Sequence, residues 1–406
     1  MDTLLAGSPA LLRTLNLRAV LGALGSGQAL ARPDVVAATG LSKTTVAQTL
    51  RVLVETGVVV EAGLDHDRRG PAATLYRVDP DHAFGLGVDV ARDRVRVALV
   101  DVTGTVRARA ERRDVAATEA SRARAAAELA RACTSDVEAR LGTGATVEVS
   151  RAVVAVPAVV GADHATIRRI PGYEKGGTTL HDALVDALGC PVQLENDLNL
   201  AAVAEQHDGV ATGARSFVVL GLGEGFGAGL VLDGQLHRGA AGGAGEVSFL
   251  PHPERPLGTE ALGSSAVAVI ARDHGLPEDM TVADLVDRTE RGDTVAGAAL
   301  DDVAGRLAVV AGSVMLVVEP DLFVLTNQAA RPVLAERVSG YLAEQLAVLP
   351  IRVVPSAFDG DAVVVGAARA ASGALREEVF RAAAVALPAA ASVETPDGVP
   401  AEPQPS

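Results

Sequence analysis

Polar side chains that could bind a ligand stand beside turns at three places between positions 196 and 260 of the 406-residue chain. Asn196 and Asp197 follow the short apolar run PVQL in the segment QLENDLNLAAVAE, Glu246 follows the turn GGAG, and Glu260 lies in LGTEALGSS. A carboxylate at a strand end can accept hydrogen bonds from adjacent hydroxyls or take a proton. The simpler alternatives are that Asp197 caps the helix that follows it and that the glutamates are surface acids.

The N-terminal segment contains the pattern of a helix-turn-helix. A first amphipathic helix is predicted over 11–24, with an apolar face of Leu11, Leu12, Leu15, Val20, Leu21 and Leu24. In PDVVAATGLSKTTVAQTLRVLVETG, Pro33 suits a first helical turn, Gly40 can end that helix, and Ser42 can cap the next one. The apolar face of this last helix consists of residues four and three apart, Val46, Leu50 and Leu53.

The outward-facing residues near the start of the last helix are suited to contact DNA. They are Ser42, Lys43, Thr44, Thr45, Gln48 and Arg51. Side chains at the start of such a helix meet base edges in the major groove, and Arg51 is placed further along for a phosphate. The alternative is an ordinary helical hairpin with a solvated polar face.

Two short β-prone runs follow, at residues 58–61 and 75–78. The segment between them, GLDHDRRGPAAT, resembles the wing of a winged helix, with Arg68 and Arg69 at its tip. Arginine is attracted by the negative potential of a minor groove. We therefore predict a winged helix-turn-helix over residues 1–80 in which Arg68 and Arg69 also contact DNA.

Composition and charge narrow the class of protein. The length suggests two or three domains, and 49% hydrophobic residues provide a sizeable core. No apolar run approaches the roughly 20 residues that span a bilayer, so we expect a cytoplasmic protein without a membrane partner. Residues 1–80 hold eight Lys or Arg and seven acids, a net charge of +1. Because the whole chain has a net charge of −15, residues 81–406 carry −16. Only the N-terminal segment is therefore suited to approach phosphate.

From residue 84 onward, the sequence predicts the same succession of strands and helices twice. Three strands at 84–90, 95–102 and 106–113 precede a helix at 119–140 and then an alternation of strands and helices. The same order recurs between residues 216 and 371, with a helix near 301–318 after its first strands. The duplication predicts two lobes of one α/β architecture with a cleft between them. It is the order of the actin-like, ribonuclease-H-like fold that sugar kinases use.

Together, several segments resemble the ROK family (repressor, open reading frame, kinase). They are the helix-turn-helix, GVDV at 87–90, QLENDLNLAAVAE, LGEGFGAGLVLDGQLHRG with the AGE after it, and VVVGAARAA. The resemblance covers residues from about 10 to 375. It implies that Asn196 and Asp197 contact sugar hydroxyls, with Asp197 as the catalytic base in the kinases. It also implies that Glu246 and Glu260 are two further sugar-binding glutamates.

The nucleotide-binding turns of the family kinases are altered in this chain. The first, GxDxGGTK, reads GVDVARDRV, with Ala91 and Arg92 at glycine positions. The second, usually LGTGIGAG, has Glu224 in place of threonine, and Thr326 and Asn327 replace the Gly-Gly pair near the adenosine. Side chains fill space that the phosphates need, and a carboxylate repels phosphate oxygens at short range. We therefore predict that the chain is not an enzyme and binds no cofactor.

The zinc module of the family is altered too. Phe249 stands where the motif AGExGH has histidine, and HPERPLGTE replaces CxCGxxGCxE without a cysteine. His252 alone is a poor zinc site. Cys133 and Cys190 are isolated from each other and from any histidine pair, so we expect small buried thiols. No metal site is predicted.

These inferences predict a winged helix-turn-helix over residues 1–80, a two-lobed ROK domain over 81–387 and a disordered tail over 388–406. The lobes are predicted at about 81–197 plus the C-terminal helix, and at 198–365. The predicted function is a repressor of carbohydrate genes that binds double-stranded operator DNA as a homodimer or homotetramer and responds to a sugar or phosphosugar effector. Two alternatives stay open: an ATP-dependent sugar kinase with a fused DNA-binding domain, and a constitutive DNA-binding protein whose cleft only supports dimerisation.

Overall fold

The computed structural model describes residues 9–25, 27–65, 72–92, 94–168, 176–251, 260–346, 349 and 351–386. Contacts divide the chain into two compact units, a first unit of Met1–His82 with Arg376–Ser406 and a second unit of Ala83–Leu375. The expected wing tip at 68–71 and the expected tail at 388–406 lie outside the described residues. No helix within the described ranges is long and apolar enough to cross a membrane.

The first unit contains N-terminal helices and a small sheet. In chain order its elements are α1 (Pro9–Leu24), β1 (Leu30–Ala31), α2 (Arg32–Thr39), α3 (Lys43–Glu55), β2 (Val59–Asp65) and β3 (Ala73–Val78). Strand β3 lies in the middle of the sheet and is antiparallel to both neighbours. The helices and the two longer strands follow one another in the order predicted for residues 1–80.

The turn between α2 and α3 forms for local reasons. Gly40 has φ 69° and ψ 5°, a left-handed conformation that glycine adopts without strain, and its N–H donates to the carbonyl of Val36. Ser42 caps α3 because its hydroxyl accepts a hydrogen bond from the N–H of Thr45 at 3.1 Å. The predicted apolar face is buried, each of its side chains being at most 1% exposed: Val46, Leu50 and Leu53.

The buried face of α1 differs from the predicted one. Leu12 and Leu15 are 55% and 50% exposed, whereas Leu17, Val20 and Leu24 are at most 1% exposed. The buried residues are three and four apart, which places them on one side of the helix. Leucines occur on several sides of this segment, so the periodicity did not decide which of them pack inward.

The second unit begins with a five-stranded mixed sheet, which we call the first sheet. Its elements are β4 (Phe84–Val90), β5 (Arg94–Asp101), β6 (Val106–Arg113), α4 (Glu119–Leu141), β7 (Val149–Val156), α5 (Thr179–Leu188), β8 (Val192–Asn196) and then α6 (Asp197–Asp208). The strand order is β6-β5-β4-β7-β8. Strand β5 is antiparallel to both of its neighbours, β4 and β6, and β7 and β8 run parallel to β4.

A second sheet repeats this arrangement. Its elements are β9 (Phe217–Leu222), β10 (Phe226–Leu232), β11 (Gln235–Leu236), α7 (Ser264–Asp273), α8 (Val282–Glu290), α9 (Thr294–Val318), β12 (Leu322–Asn327), α10 (Pro332–Gln345), β13 (Val353–Pro355) and α11 (Ala362–Ala386). The strand order β11-β10-β9-β12-β13 has the same mixture of antiparallel and parallel pairs. The predicted duplication is therefore present.

Helices α7 and α8 are additions to the repeat that the sequence analysis missed. Helix α8 begins with a capping box, in which the Thr281 hydroxyl accepts from the Asp284 N–H and the Asp284 carboxylate accepts from the Thr281 N–H. The following helix starts at Thr294 instead of near residue 301, because Asp293 caps it. Both caps have side-chain types that can be recognised in the sequence.

Helices α6 and α11 pack against each other between the two sheets. The main chain of α6 approaches the second sheet so closely that a methyl group on Gly229 would lie 2.2 Å from the Leu198 carbonyl oxygen. On the first sheet, a methyl group on Gly87 would lie 2.3 Å from the backbone nitrogen of Ala368 in α11. One cluster of buried residues runs through both sheets and both helices. The two lobes therefore share one core layer.

Two glycines of α11 test this packing. A methyl group on Gly366 would lie 1.7 Å from the Leu200 carbonyl oxygen, whereas one on Gly373 would meet nothing within 4 Å. We expect Gly366→Ala to lower the free energy of unfolding by about 1–3 kcal/mol, because the helices must separate. The matched Gly373→Ala should raise it by up to about 1 kcal/mol through helix propensity. Urea unfolding of the full-length variants measures both, and equal stabilities would contradict the close contact.

Candidate functional site

A cavity of about 770 Å³ opens between the two sheets of the second unit. Strand ends supply much of its wall, as is usual for ligand sites of α/β sheets. The wall includes the four residues that we predict as effector ligands, Asn196, Asp197, Glu246 and Glu260. The fold therefore brings together side chains that are up to 64 positions apart in the sequence.

Asn196, and not Asp197, is the N-cap of α6. The Asn196 Oδ1 atom accepts hydrogen bonds from the N–H groups of Leu198 and Asn199 at 2.9 and 3.1 Å. Its Nδ2 atom donates to the Ala158 carbonyl at 3.2 Å. The alternative that Asp197 caps this helix is therefore wrong, since the cap lies one residue earlier. Asn196 keeps one amide hydrogen for a ligand and otherwise holds the start of α6 in place.

Asp197 occupies the first position of α6, at the cavity wall. Burial raises the pKa of its carboxyl to about 7, and the charge of Asp89 adds to this, followed by that of Glu246. The hydrogen bond from the Leu198 N–H acts in the opposite direction. Near neutral pH, the carboxyl group can therefore either donate a hydrogen bond or accept one from a ligand hydroxyl.

Glu246 and Glu260 form a second acidic pair in the cavity. Burial and the charge of Glu260 raise the pKa of Glu246, whereas the charge of Arg168 lowers it. Glu246 directly precedes a short 3-10 helix, Val247–Phe249. Two neighbouring carboxylates that repel each other are suited to accept hydrogen bonds from several ligand hydroxyls.

A buried ion pair that the sequence analysis missed lies beside Asp197. Asp89 accepts hydrogen bonds from Nε and Nη2 of Arg96 at 2.9 and 2.7 Å, and both residues are buried. Arg96 also donates through Nη1 to the Gly360 carbonyl and to Asp361, just before α11. An arginine within the apolar run VRVALV was the available signal, because a buried guanidinium requires partners.

The two turns that we predict to be altered relative to the family kinases contact each other. The Arg92 Nε atom lies 2.9 Å from Glu224 Oε2, so the turn after β4 is linked to the turn between β9 and β10. Glu224 was expected only to repel phosphate, whereas the structure pairs it with Arg92. Both side chains are about half exposed, so the pair contributes little to stability, about 0–1 kcal/mol. It does occupy space between the two turns.

The region expected to lack zinc is only partly described. Phe249 lines the cavity, while His252 and the rest of 252–259 lie outside the described residues. Within the described ranges, no group of three His, Cys, Asp or Glu side chains is placed to hold a metal ion. Cys133 and Cys190 are buried and unpaired with each other, and burial raises the pKa of each thiol to about 11.

Most of the predicted DNA-contacting residues at the start of α3 and along it are exposed. Those with exposed side chains are Ser42, Lys43, Thr44, Gln48 and Arg51. Thr45 is half-buried, and its hydroxyl lies 2.8 Å from that of Ser42, so it supports the cap. Arg68 and Arg69 lie within 66–71, outside the described residues.

Two sheets of repeated order around an acidic cavity define a two-lobed protein of the sugar-kinase-like class. Residues 85–373 match the ROK family. The chain belongs to the ROK family.

Individual relatives are similar to the chain at low sequence identity. The xylose repressor of Caldicellulosiruptor bescii is 25% identical over 246 residues, which is 59% of this chain and 59% of that protein. A ROK family transcriptional regulator, described as a homologue of the E. coli MLC protein, superposes with a TM-score of 0.73 at 20% identity, over 92% of this chain and 99% of that chain. The ROK hexokinase from Thermus thermophilus superposes with a TM-score of 0.59 at 23% identity, over 72% of this chain and 99% of that chain. These structural similarities concern the fold.

Removal of the ionisable group at position 197 should stabilise the ligand-free protein. The pKa of about 7 in the folded protein lies above the reference value of 3.8, so folding is favoured by protonation as the pH falls from 7 towards 4. Asp197→Asn removes this dependence, and its gain in stability over the natural protein should be largest above about pH 7 and shrink towards about pH 4.

Thermal unfolding of both proteins across this pH range measures the difference. Asp279→Asn, at an exposed aspartate outside the cavity, is the matched control and should have little effect at any pH. A stability gain for Asp197→Asn that does not change with pH would contradict the raised pKa.

Proposed function

We propose that the chain is a transcriptional repressor of carbohydrate genes that binds operator DNA through its first unit and a sugar or phosphosugar in the cavity of its second unit. The observation that supports this most is that a sugar-kinase-like fold is joined, in one chain, to a capped helix with an exposed polar surface. The similarity to a xylose repressor favours a carbohydrate effector.

The DNA-binding part of the proposal rests on α3. Lys43, Thr44 and Gln48 are exposed on its first turns, whereas its apolar residues pack into the first unit. Side chains in these positions are suited to contact base edges in the major groove. The β2–β3 hairpin would carry Arg68 and Arg69 towards the adjacent groove, which completes a winged helix-turn-helix over residues 1–80.

Such a domain contacts one half-site, so we infer that the repressor acts as a homodimer or homotetramer. The two-lobed ROK domain over 81–387 would supply the contacts between copies. The net charge of −16 on residues 81–406 makes this part unsuited to approach DNA itself.

Replacement of Gln48 tests the DNA-binding surface. Gln48→Ala should cost about 1–3 kcal/mol in operator binding and relax the preference at one base position of each half-site. Glu55→Gln, in the last turn of the same helix, is the control and should leave the preference unchanged. Binding of both variants to a series of duplexes, first selected by the natural protein from random DNA, measures the effect. Unchanged affinity and preference for Gln48→Ala would overturn the proposed surface.

The alternative of a sugar kinase is disfavoured by the two altered turns. In the family kinases these turns hold nucleotide phosphates, whereas here the Arg92–Glu224 pair lies between them. Asp197, the residue that matches the kinase base, still lines the cavity. ATP-dependent phosphorylation of a hexose that is lost in Asp197→Asn would favour the kinase.

The cavity is suited to a polyhydroxylated ligand. Asp197, Glu246 and Glu260 supply carboxylate oxygens, and Asn196 supplies an amide hydrogen. A ligand bound there changes DNA affinity only to the extent that it prefers one arrangement of the protein over another. If no ligand has this preference, DNA binding does not respond to the cavity. The chain would then be a constitutive DNA-binding protein whose cleft only supports dimerisation.

Thermal stabilisation by a panel of sugars and sugar phosphates tests the effector site. A sugar present at about 100 times its Kd should add about 2.7 kcal/mol to the free energy of unfolding. Glu246→Ala should abolish this stabilisation, whereas Glu336→Ala, at an exposed glutamate outside the cavity, should retain it. Equal stabilisation of Glu246→Ala and the natural protein would show that the site is placed wrongly.

A further inference from the structure

Glu195 is a buried carboxylate directly before the candidate ligand residues Asn196 and Asp197. Its side chain is only 4% exposed. Oε1 accepts hydrogen bonds from Nδ2 of Asn199 at 2.8 Å and from the N–H of Asn196 at 3.0 Å. Oε2 accepts one from Nε of Arg238 at 2.6 Å. The Arg238 contact connects the end of β8 in the first sheet with the chain that follows β11 in the second.

Arg238 directly precedes the loop that leads to Glu246. We call this loop, residues 239–245, the glycine loop. The Arg238 carbonyl accepts a hydrogen bond from the Ala244 N–H at 3.1 Å, so the loop closes on itself. At its far end, the Gly245 carbonyl accepts from the Ala228 N–H at 2.8 Å. Glu246 follows immediately and is therefore positioned by the same loop.

The first-sheet side of the cavity holds the glycine loop at two further points. A methyl group on Gly242 would lie 1.8 Å from the Val160 carbonyl oxygen, so the two backbones are in close contact. Nη2 of Arg168 donates to the Ala241 carbonyl at 3.2 Å. The contact with Glu195 adds a charged hydrogen bond with a mostly buried acceptor, which is stronger and more directional than a neutral one.

From these contacts we propose that Glu195 and Arg238 are a positioning pair, which holds the glycine loop and thereby fixes Glu246 opposite Asp197. The effect on ligand binding rests on the proposed effector site, whereas the effect on the loop does not. Neither residue needs to contact the ligand. Their role is to keep the hydrogen-bond acceptors of the two lobes, such as Asp197 and Glu246, at a fixed distance from each other. A rigid ligand with several hydroxyl groups requires such a fixed distance.

Hydrogen exchange of the full-length, ligand-free protein tests the loop directly. In Arg238→Met, peptides that cover 239–247 should exchange about tenfold faster, because the loop loses its charged contact. Glu195→Gln should act in the same direction and provides a second variant if the first one folds poorly. Arg238→Lys should restore part of the protection, since lysine keeps the charge.

Arg215→Met is the matched control. Arg215 forms an ion pair with Asp233 at 2.9 Å next to the same hairpin, but this pair is exposed and outside the cavity. Exchange of 239–247 should be unchanged in this variant. Exchange that is also unchanged in both Arg238→Met and Glu195→Gln would overturn the proposal.

Calorimetric titration with D-xylose and with D-glucose then separates this proposal from the proposed function. If either sugar binds the natural protein, Arg238→Met should raise its Kd at least about tenfold, while operator binding without sugar stays unchanged. Faster exchange with an unchanged Kd would overturn the positioning of Glu246. If neither sugar binds, the proposed effector class fails for these two sugars, and the exchange result still decides whether the pair holds the loop.

Discussion

Helix α6 approaches the second sheet and α11 so closely that glycine is required at the contacts, and this packing determines where the cavity residues lie. Gly229 on the sheet and Gly366 on α11 have no room for a methyl group against the backbone of α6. The start of α6 is fixed by the Asn196 cap. Asp197 is therefore held at the cavity wall by the packing of the helix backbone, and its carboxylate also accepts a hydrogen bond from the Leu198 N–H. The remaining ligand-binding groups are positioned relative to this point.

Several charged side chains around the cavity form ion pairs between the two halves of the second unit. Three ion pairs each join a residue in or next to the first sheet to a residue that follows α6 in the sequence. They are Arg92–Glu224, Arg96–Asp361 and Glu195–Arg238. Asp197 and Glu246 instead have raised pKa values, because they are enclosed near other carboxylates. Carboxylates held in this way destabilise the ligand-free protein and are suited to a ligand that donates hydrogen bonds. In binding sites, groups that serve ligand binding commonly lower the stability of the folded protein.

Local sequence patterns predicted the elements well and the contacts between them poorly. Gly40, Ser42 and the spacing of Val46 and Leu50 act within a few residues to form the turn between α2 and α3 and the buried face of α3, so each could be recognised in the sequence. The repeated order of strands and helices predicted the two sheets in the same way. Helices α7 and α8 were missed because they interrupt the repeat, although the Thr281 cap was a usable signal.

The pairing of Arg92 with Glu224 could not be predicted from the sequence, because it depends on how two turns 132 residues apart face each other. The same holds for Arg238 and Glu195. Sequence showed that a glycine-rich loop leads to Glu246, but not which charged residue on the other lobe holds that loop. The four cavity residues were predicted through motif resemblance, and their convergence on one cavity follows from the fold.

The proposed repressor requires that occupancy of the cavity and binding of DNA are coupled in one chain. The most direct measurement is the Kd of the full-length protein for a selected operator duplex, with and without a saturating concentration of each sugar that binds the second unit. We expect this Kd to change by about 5- to 150-fold in the natural protein and not to change in Asp197→Ala, and we expect sugar affinity to change by the same factor when DNA is added. An operator affinity that no cavity-bound sugar alters would contradict the claim.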